Sequence, residues 1–525
     1  MHRTSLALAL GIAISLVAAC ADEGAPAEEV SVAVEPGKAD NYLSPTSREY
    51  FLSGTGNETL DAATAPGDDA GKEAAVRELL QFRFKAYAHF INAYVTNKGH
   101  DDANKDYGGF GGLVRGSTLD FGVTPTSEDK LAWRFTWQFE MGGPSDMLDD
   151  LPLETGANGE RFFNVQLPTL DAAALRSESY PKSFDPATYV GALETLRVTV
   201  RVEDRSIDSF PLYEALADDA KIQVLLVVGG DYNADRYDLK SAATHVAWLK
   251  SAGFAHAAKA YTDVKLDSAP FTKTIDMNGT KVLVEVTFLY PDIVPVDRLA
   301  ELRAAIVAGF GTADVVIYDG HAGLDPDYSG IVYHYNPRFA ISATELSKLA
   351  LPAKYQIYWF NGCKTYGAYP EAVYKNEQKN FENLDVVSTV SFSWLSQQTF
   401  TTSGFLTELL SIGQKTHDPR TWSEILTRVN QRSNYNVYYG VHGIDDNPHV
   451  NPYADLATLC SPCATKSECP GAGNLCLKVG TDTAKFCAVE CTDDGGCPDG
   501  YKCGDIATSG QISGRQCVPA DHTCP

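Results

Sequence analysis

The chain has 525 residues, of which 44% are hydrophobic and 10% aromatic, so it can build packed cores and is neither globally disordered nor collagen-like. At roughly 150 residues per domain, this length allows about three domains. Lysine and arginine number 43 against 68 aspartate and glutamate residues, a net charge of −25. Such a charge repels phosphate groups, so we expect no nucleic acid among the partners of this protein.

The amino terminus has the pattern of an export signal. Its long apolar stretch runs from Leu6 to Ala19, follows His2 and Arg3, and is too short to span a bilayer as a helix. We therefore interpret residues 1–19 as a signal peptide. The stretch ends in LVAAC at Cys20, which is the pattern of a bacterial lipobox, where cleavage precedes a lipidated cysteine. The alternative is an ordinary signal peptide with a chance cysteine after its cleavage site.

Residues 20–41 are acidic, contain proline and alanine, and include no aromatic residue. Such a segment cannot bury apolar surface, so we predict a flexible tether. We expect an exported protein of the cell envelope that binds the membrane through a lipid on Cys20. Ala21 at the next position favours the outer membrane. Export to an oxidising compartment also permits disulfides.

Residues 42–220 form a predicted N-terminal α+β domain. Apolar residues recur at helical spacing over 73–95, and residues 131–139 and 195–202 alternate like half-buried strands. Three roles stay open for this domain: a prodomain, a support for the next domain, or a ligand-binding module.

Residues 221–458 form a predicted α/β domain with a mainly parallel sheet flanked by helices. Short apolar runs at 222–228, 314–318, 355–360 and 385–390 indicate buried strands. Asn278-Gly279 is the turn of a predicted hairpin between 271–275 and 281–289. Helices are expected after an N-cap at Asp238, from 296 to 307, and after two capping boxes that begin at Ser342 and Thr421.

Two of these strands run directly into reactive residues. The strand at 314–318 leads to Gly320-His321, and the strand at 355–360 leads to Gly362-Cys363. In open α/β sheets the loops beyond the carboxyl ends of the strands meet and form the active site. We therefore expect the imidazole and the thiol to lie on the same edge of the sheet.

Residues 459–525 form a small disulfide-rich module. The segment is rich in glycine and poor in aliphatic residues, so about five disulfides would replace a hydrophobic core. Zinc is the alternative, because Cys460 and Cys463 have finger-like spacing, but His522 is the only histidine of the segment. The ten cysteines of the module are Cys460, Cys463, Cys469, Cys476, Cys487, Cys491, Cys497, Cys503, Cys517 and Cys524.

Cys363 remains once these ten cysteines pair and Cys20 is lipidated. A single thiol in an exported protein calls for an explanation. It is either an inert buried cysteine or a nucleophile that is kept reduced for chemistry.

The order Gly320-His321 and then Gly362-Cys363, each after an apolar strand, resembles the caspase–gingipain superfamily of cysteine peptidases. The resemblance covers residues 221–445. In that family an apolar strand ends in Gly-His-Gly, and a later strand ends in a small residue and the catalytic cysteine. This chain departs from the pattern at Ala322, with the glycine one position later at Gly323.

The resemblance implies a caspase-like fold and a cysteine endopeptidase that cleaves a protein or peptide substrate. Cys363 would be the nucleophile and His321 the general acid and base. The N–H groups of Cys363 and of Ala322 or Gly323 would form the oxyanion hole. Arg338, Arg420 and Arg432 are candidates to bind an acidic substrate side chain, and the many carboxylates could bind a basic one.

The alternative function is a surface binding or adhesion lipoprotein on a catalytically inactive caspase-like scaffold. Cys363 would then be a core residue, and His321 would bond a loop carbonyl. We expect neither a cofactor nor a metal site. The alternating oxygens at Asp102, Asn104 and Asp106 are similar to a calcium loop, but Tyr107 stands where that loop needs glycine.

Overall fold

The structure is a computed structural model. It describes residues 41–98, 115, 118–181, 184–322, 329–434, 437–471, 473–478, 484–508 and 511–524. The predicted signal peptide, lipidation site and tether, up to residue 40, and the loop that begins at Asp102 lie outside the described residues. None of the helices in these ranges is both long and apolar enough to cross a membrane.

The strands of the described ranges share one numbering in chain order. They are β1 (Tyr42–Leu43), β2 (Ser47–Thr59), β3 (Asp120–Pro125), β4 (Ala132–Pro144), β5 (Glu154–Thr155), β6 (Arg161–Pro168), β7 (Leu193–Val202), β8 (Lys221–Val228), β9 (Phe271–Met277), β10 (Thr280–Leu289), β11 (Val315–Asp319), β12 (Gly330–His334), β13 (Phe339–Ser342), β14 (Gln356–Asn361), β15 (Leu384–Thr389), β16 (Tyr439–His442), β17 (Leu475–Lys478), β18 (Lys485–Glu490), β19 (Tyr501–Thr508) and β20 (Gln511–Pro519).

The α-helices are numbered in the same way. They are α1 (Asp69–Lys98), α2 (Ala172–Arg176), α3 (Tyr213–Leu216), α4 (Tyr237–Ser251), α5 (Leu299–Thr312), α6 (Ala343–Leu346), α7 (Tyr369–Tyr374), α8 (Leu395–Leu410) and α9 (Trp422–Asn430).

The largest sheet is mixed, with the strand order β1-β16-β15-β14-β11-β8-β10-β9. Its five central strands, from β15 to β10, are parallel, whereas β9, β16 and β1 run antiparallel to their neighbours. The central strands are continuous apolar runs because both faces of the sheet are covered, and β11, β14 and β15 are buried along their whole length. The predicted α/β sheet with flanking helices is therefore present.

A second sheet lies in the N-terminal part of the chain. It has the order β3-β4-β2-β7-β6-β5 and is antiparallel at each pair. Helix α1 supplies buried residues to the same core as this sheet, among them Val76, Leu80, Phe84 and Ile91. The helix pattern over 73–95 falls within α1, and the strand pattern over 195–202 falls within β7. The strand pattern over 131–139 begins one residue before β4.

Local signals explain several of the helix ends. Ser342 and Thr421 form the predicted capping boxes, in which each hydroxyl accepts from the backbone of a glutamate three residues on. The predicted cap at Asp238 is wrong, because α4 begins at Tyr237, after Arg236 in a left-handed conformation. The buried carboxylate of Asp238 instead pairs with the guanidinium of Arg236.

The C-terminal module carries the predicted disulfides. Its ten cysteines lie in five pairs with Sγ–Sγ distances of 2.00 to 2.07 Å. The pairs are Cys460–Cys524, Cys463–Cys476, Cys469–Cys487, Cys491–Cys503 and Cys497–Cys517. Five disulfides fit a protein that is exported to an oxidising compartment.

Candidate active site

Three neighbouring parallel strands of the large sheet end at the same level. Val228 at the end of β8 pairs with Asp319 of β11, and Asp319 pairs with Asn361 at the end of β14. Each strand is followed by glycine and then by a reactive residue. These residues are Asp231, His321 and Cys363, and we call the edge that they form the reactive edge.

The glycines allow the strand ends to approach each other closely. A Cβ atom on Gly229 would lie 2.9 Å from the Cα of Gly320, and a Cβ on Gly320 would lie equally close to Gly229. A Cβ on Gly362 would lie 2.8 Å from the Cβ of Ala322. Side chains at these positions would push the turns apart, so the glycines keep the three reactive residues together.

The imidazole of His321 is held by a carboxylate. Its Nε2 lies 3.0 Å from Oδ1 of Asp231, and its ring stacks on Tyr232 with the centroids 4.9 Å apart. The carbonyl of His321 accepts a hydrogen bond from the hydroxyl of Tyr318 at 2.6 Å. Because an ionised carboxylate can only accept, Nε2 must carry the hydrogen in the neutral ring. The lone pair is then on Nδ1, which can accept a proton.

Asp231 is ionised in this environment. Burial alone would raise its pKa, but hydrogen bonds from His321 and from the backbone N–H groups of Asn233 and Tyr237 hold the pKa below its ordinary value. The side-chain amide of Asn233 donates to the same carboxylate at 2.8 Å. Asp231 therefore orients the ring of His321 and selects its tautomer.

Cys363 lies in a buried turn and is 8% exposed. It is the cysteine of the described chain that forms no disulfide. Its Sγ lies 3.7 Å from the carbonyl oxygen of Ser393, to which the thiol donates. The next residue, Lys364, has a φ of 55° and donates its N–H to the carbonyl of Ser391 at 2.9 Å. The ammonium of Lys364 lies over the ring of Phe392, 4.4 Å from its centroid.

A buried network of polar side chains holds the carboxyl ends of β11 and β14. The carboxylate of Asp319 bonds His245 of α4 at 2.8 Å and accepts from the hydroxyl of Thr402 on α8 at 2.6 Å. The amide of Asn361 donates to Thr402 at 3.2 Å and accepts from the hydroxyl of Tyr439 at 2.8 Å. Each of these side chains is buried, so the network leaves the turns before His321 and Cys363 little freedom to move.

The N-terminal sheet contacts the loop that follows Cys363. The hydroxyl of Tyr366 donates to the carboxylate of Glu49 on β2 at 2.7 Å. The guanidinium of Arg115 pairs with Glu49 at 3.5 Å and with Glu140 on β4 at 3.3 Å. This ion-pair cluster is buried where the N-terminal sheet meets the loop that follows Cys363.

The structure brings together some of the residues proposed from the sequence. His321 and Cys363 lie on neighbouring strand ends, and Ala322 is half-buried against the Gly362 turn. Gly323 and Cys20 lie outside the described residues. Asp231 was not among the predicted site residues, although β8 ends in the same pattern of an apolar run, glycine and a polar residue.

The arginines proposed for substrate binding differ in their surroundings. Arg420 and Arg432 both pair with the buried carboxylate of Glu408 on α8, at 3.2 and 3.1 Å. Their charges therefore already have an internal partner. Arg338 is half-buried in the turn between β12 and β13.

Comparison of the chain with protein-family models, curated proteins and solved structures found no match.

Proposed function

We propose that this chain is an exported cysteine endopeptidase of the caspase–gingipain type. The observation that supports this most is the reactive edge, where three adjacent parallel strands end in a carboxylate, an imidazole and a thiol. A thiol nucleophile needs a base, and the base needs a group that orients it. Cys363, His321 and Asp231 supply these three functions in that order.

In the proposed reaction, Nδ1 of His321 takes the proton of the Cys363 thiol, and the electron pair stays on sulfur. The thiolate attacks the carbonyl carbon of the scissile peptide bond. The N–H groups of Cys363 and of Ala322 or Gly323 bind the oxyanion that forms. His321 then gives its proton to the departing amine, and water hydrolyses the thioester.

The contact between Glu49 and Tyr366 favours a supporting role for the N-terminal domain. Glu49 on β2 holds the loop that begins at Cys363, so the N-terminal sheet contributes directly to the shape of that loop. If the N-terminal domain were a prodomain that is later removed, the loop would lose this hydrogen bond. We therefore propose that the N-terminal domain stays attached in the active protein.

We further propose that a lipid on Cys20 anchors the protein to the outer membrane. The lipobox pattern at 16–20 and the acidic tether support this. In cells, the Cys20→Ser variant should leave the membrane fraction and lose the mass of the lipid. A variant that still fractionates with membranes at an unchanged mass would contradict the anchor.

One observation favours the alternative, a binding lipoprotein on an inactive scaffold. His321 is 7% exposed and Cys363 is 8% exposed, and each makes its own hydrogen bond, to Asp231 and to Ser393. A site in this state has little room for a peptide backbone.

A thiol-directed peptide probe separates the two functions. With the enzyme, the probe should label Cys363, and Cys363→Ala and His321→Ala should each abolish peptide cleavage. The double variant should be no worse than either single variant, because the two residues act as a unit. Circular dichroism of each variant checks that the fold is retained. Labelling that is equally fast in His321→Ala would contradict the enzyme and favour the binding protein.

A further inference from the structure

One side chain at the reactive edge contacts both the histidine turn and the partner of the thiol. Gln398 lies in the first turn of α8 and is 1% exposed. Its Nε2 donates to the carbonyl of Gly320 at 3.2 Å and to the carbonyl of Ser393 at 3.3 Å. Gly320 precedes His321, and Ser393 is the acceptor of the Cys363 thiol. Because both neighbours are carbonyl oxygens, the amide can face them only with its NH2 group.

The hydrogen bond from the thiol to Ser393 opposes ionisation of Cys363. A carbonyl oxygen accepts from S–H but repels a thiolate, so the contact stabilises the protonated form. The thiol must therefore leave this carbonyl before it gives its proton to a base. A buried carbonyl that loses its only donor is strongly destabilised, but Gln398 supplies a second donor to Ser393.

We propose that Gln398 is a positioning residue that allows the thiol of Cys363 to exchange the carbonyl of Ser393 for His321. This inference rests on the proposed function, since it assumes that His321 receives the proton. In the exchange the S–H bond breaks, an N–H bond forms at Nδ1 of His321, and the electron pair stays on sulfur. Gln398 bonds both carbonyls before and after the transfer, so neither turn has to move.

The titratable groups near the thiol come from the turns after β8, β11 and β14 and from helix α7. The imidazole of His321 lies beyond the end of the neighbouring strand β11, and Asp231 lies behind it. Lys364 follows Cys363 in the same turn, and the phenol of Tyr369 on α7 interacts electrostatically with Cys363. Substitution of Gln398 leaves all of these groups in place. A change in the titration of the thiol would then report the loss of the amide itself.

The test is the pH dependence of alkylation of Cys363 by iodoacetamide in the full chain with its disulfides intact, followed by mass spectrometry of the Cys363 peptide. Gln398→Met keeps the length of the side chain and removes both donors. Gln398→Asn keeps the amide but is too short to reach both carbonyls. Gln397→Met, at the half-buried neighbouring position of α8, is the matched control.

We expect Gln398→Met to raise the apparent pKa of the thiol by about one unit, which slows alkylation about tenfold below that pH. Gln398→Asn should shift the profile in the same direction by less, and Gln397→Met should not shift it. If the Met variant fails to fold, the Asn variant decides. A folded Gln398 variant with the wild-type profile, or an equal shift in Gln397→Met, would overturn the inference.

The His321→Ala variant separates this inference from the proposed function. If its alkylation profile equals that of the wild type, His321 is not the base and the proposed function fails. If His321→Ala shifts the profile and the Gln398 variants do not, only the role of Gln398 fails.

Discussion

At the scale of single residues, the hydrogen bond between His321 and Asp231 determines which ring nitrogen carries the proton. The ionised carboxylate requires a donor at Nε2 and leaves Nδ1 as the acceptor. A neutral amide in the same place would relax this requirement, because it can present either its oxygen or its NH2 group to the ring.

We therefore predict that Asp231→Asn keeps the fold and lowers kcat/KM for peptide cleavage by about 10²- to 10⁴-fold, the usual range for general acid and base catalysis. The amide does not select the tautomer, so Nδ1 is no longer always available as the proton acceptor. Kinetics on a peptide substrate measure the loss. Asp235→Asn, an exposed carboxylate of the same loop, is the control and should keep wild-type activity. Full activity in Asp231→Asn would remove Asp231 from the mechanism.

The sequence allows His321 and Cys363 to be proposed, because each follows a continuous apolar strand and a glycine. Asp231 follows the same pattern, but the segment Gly-Gly-Asp-Tyr-Asn is also typical of a turn with no catalytic role. Only the register of β8 with β11 shows that this turn reaches His321. Gln398 gives no local signal, since its role depends on the carbonyl of Gly320, which lies far away along the chain, as well as on that of nearby Ser393.

At the scale of elements, the turns after β11 and β14 are packed against each other without spare volume. A methyl group on Gly362 would meet the methyl of Ala322 at 2.8 Å and the carbonyl of Gly320 at 3.1 Å. The two strand ends are therefore coupled through contact between their smallest residues.

We predict that Gly362→Ala destabilises the α/β unit by about 1–3 kcal/mol, as overpacking of a core does. Ala322→Gly alone should have a smaller effect and should recover part of the loss in the double variant, because it removes the facing methyl group. Thermal unfolding of the four proteins completes the double-mutant cycle. Gly311→Ala is the control, since a Cβ there meets its nearest neighbour at an ordinary 3.5 Å. Strictly additive effects would show that the two turns do not interact.

Most strands of the α/β unit could be predicted because buried parallel strands are short apolar runs between turn signals. Helix α8 could not be predicted, because threonine, serine and glutamine are buried on it alongside leucine and phenylalanine and leave no apolar stripe. Those polar side chains include Gln398, Thr401 and Thr402, which bond the strand ends. Helix α8, which the sequence does not predict, is thus the helix that supports the site.

At the scale of the whole molecule, the stability of the large sheet should depend on pH through Asp385. This fully buried residue lies near the amino end of β15. Burial raises its pKa to about 7, against hydrogen bonds from Tyr355, Asn447 and Trp422. In the unfolded chain the same group titrates near pH 4, about its ordinary value. The native state therefore holds one more proton than the unfolded state between these two pKa values.

It follows that the contribution of Asp385 to stability is greatest below about pH 4 and falls as the pH rises to about 7. We predict that Asp385→Asn removes this slope, because the amide oxygen can accept the same hydrogen bonds and never ionises. Thermal unfolding at pH 5 and pH 8 should show a smaller difference in the variant than in the wild type. The exposed Asp446→Asn serves as the control. An unchanged difference in Asp385→Asn would mean that Asp385 is ionised at both pH values.

The disulfide-rich nature of the C-terminal module follows from its cysteine content, but the pairing of its cysteines does not. Spacing alone cannot choose among the many ways to join ten cysteines. The sequence does not predict that β1 belongs to the large sheet either. A strand of two residues is too short to show an alternating pattern, and its partner, β16, comes some four hundred residues later.

Strand β1 also determines the edge at which the N-terminal segment enters the large sheet. It runs parallel to the central strands, so Asn41, which bonds Asp445, leaves the sheet at its amino edge. The reactive edge lies at the opposite, carboxyl edge. The lipid proposed on Cys20 would therefore be joined to the fold at the edge opposite the thiol. The proposed anchor and the proposed active site would thus belong to opposite edges of one sheet, and the anchoring segment would not have to cross the reactive edge.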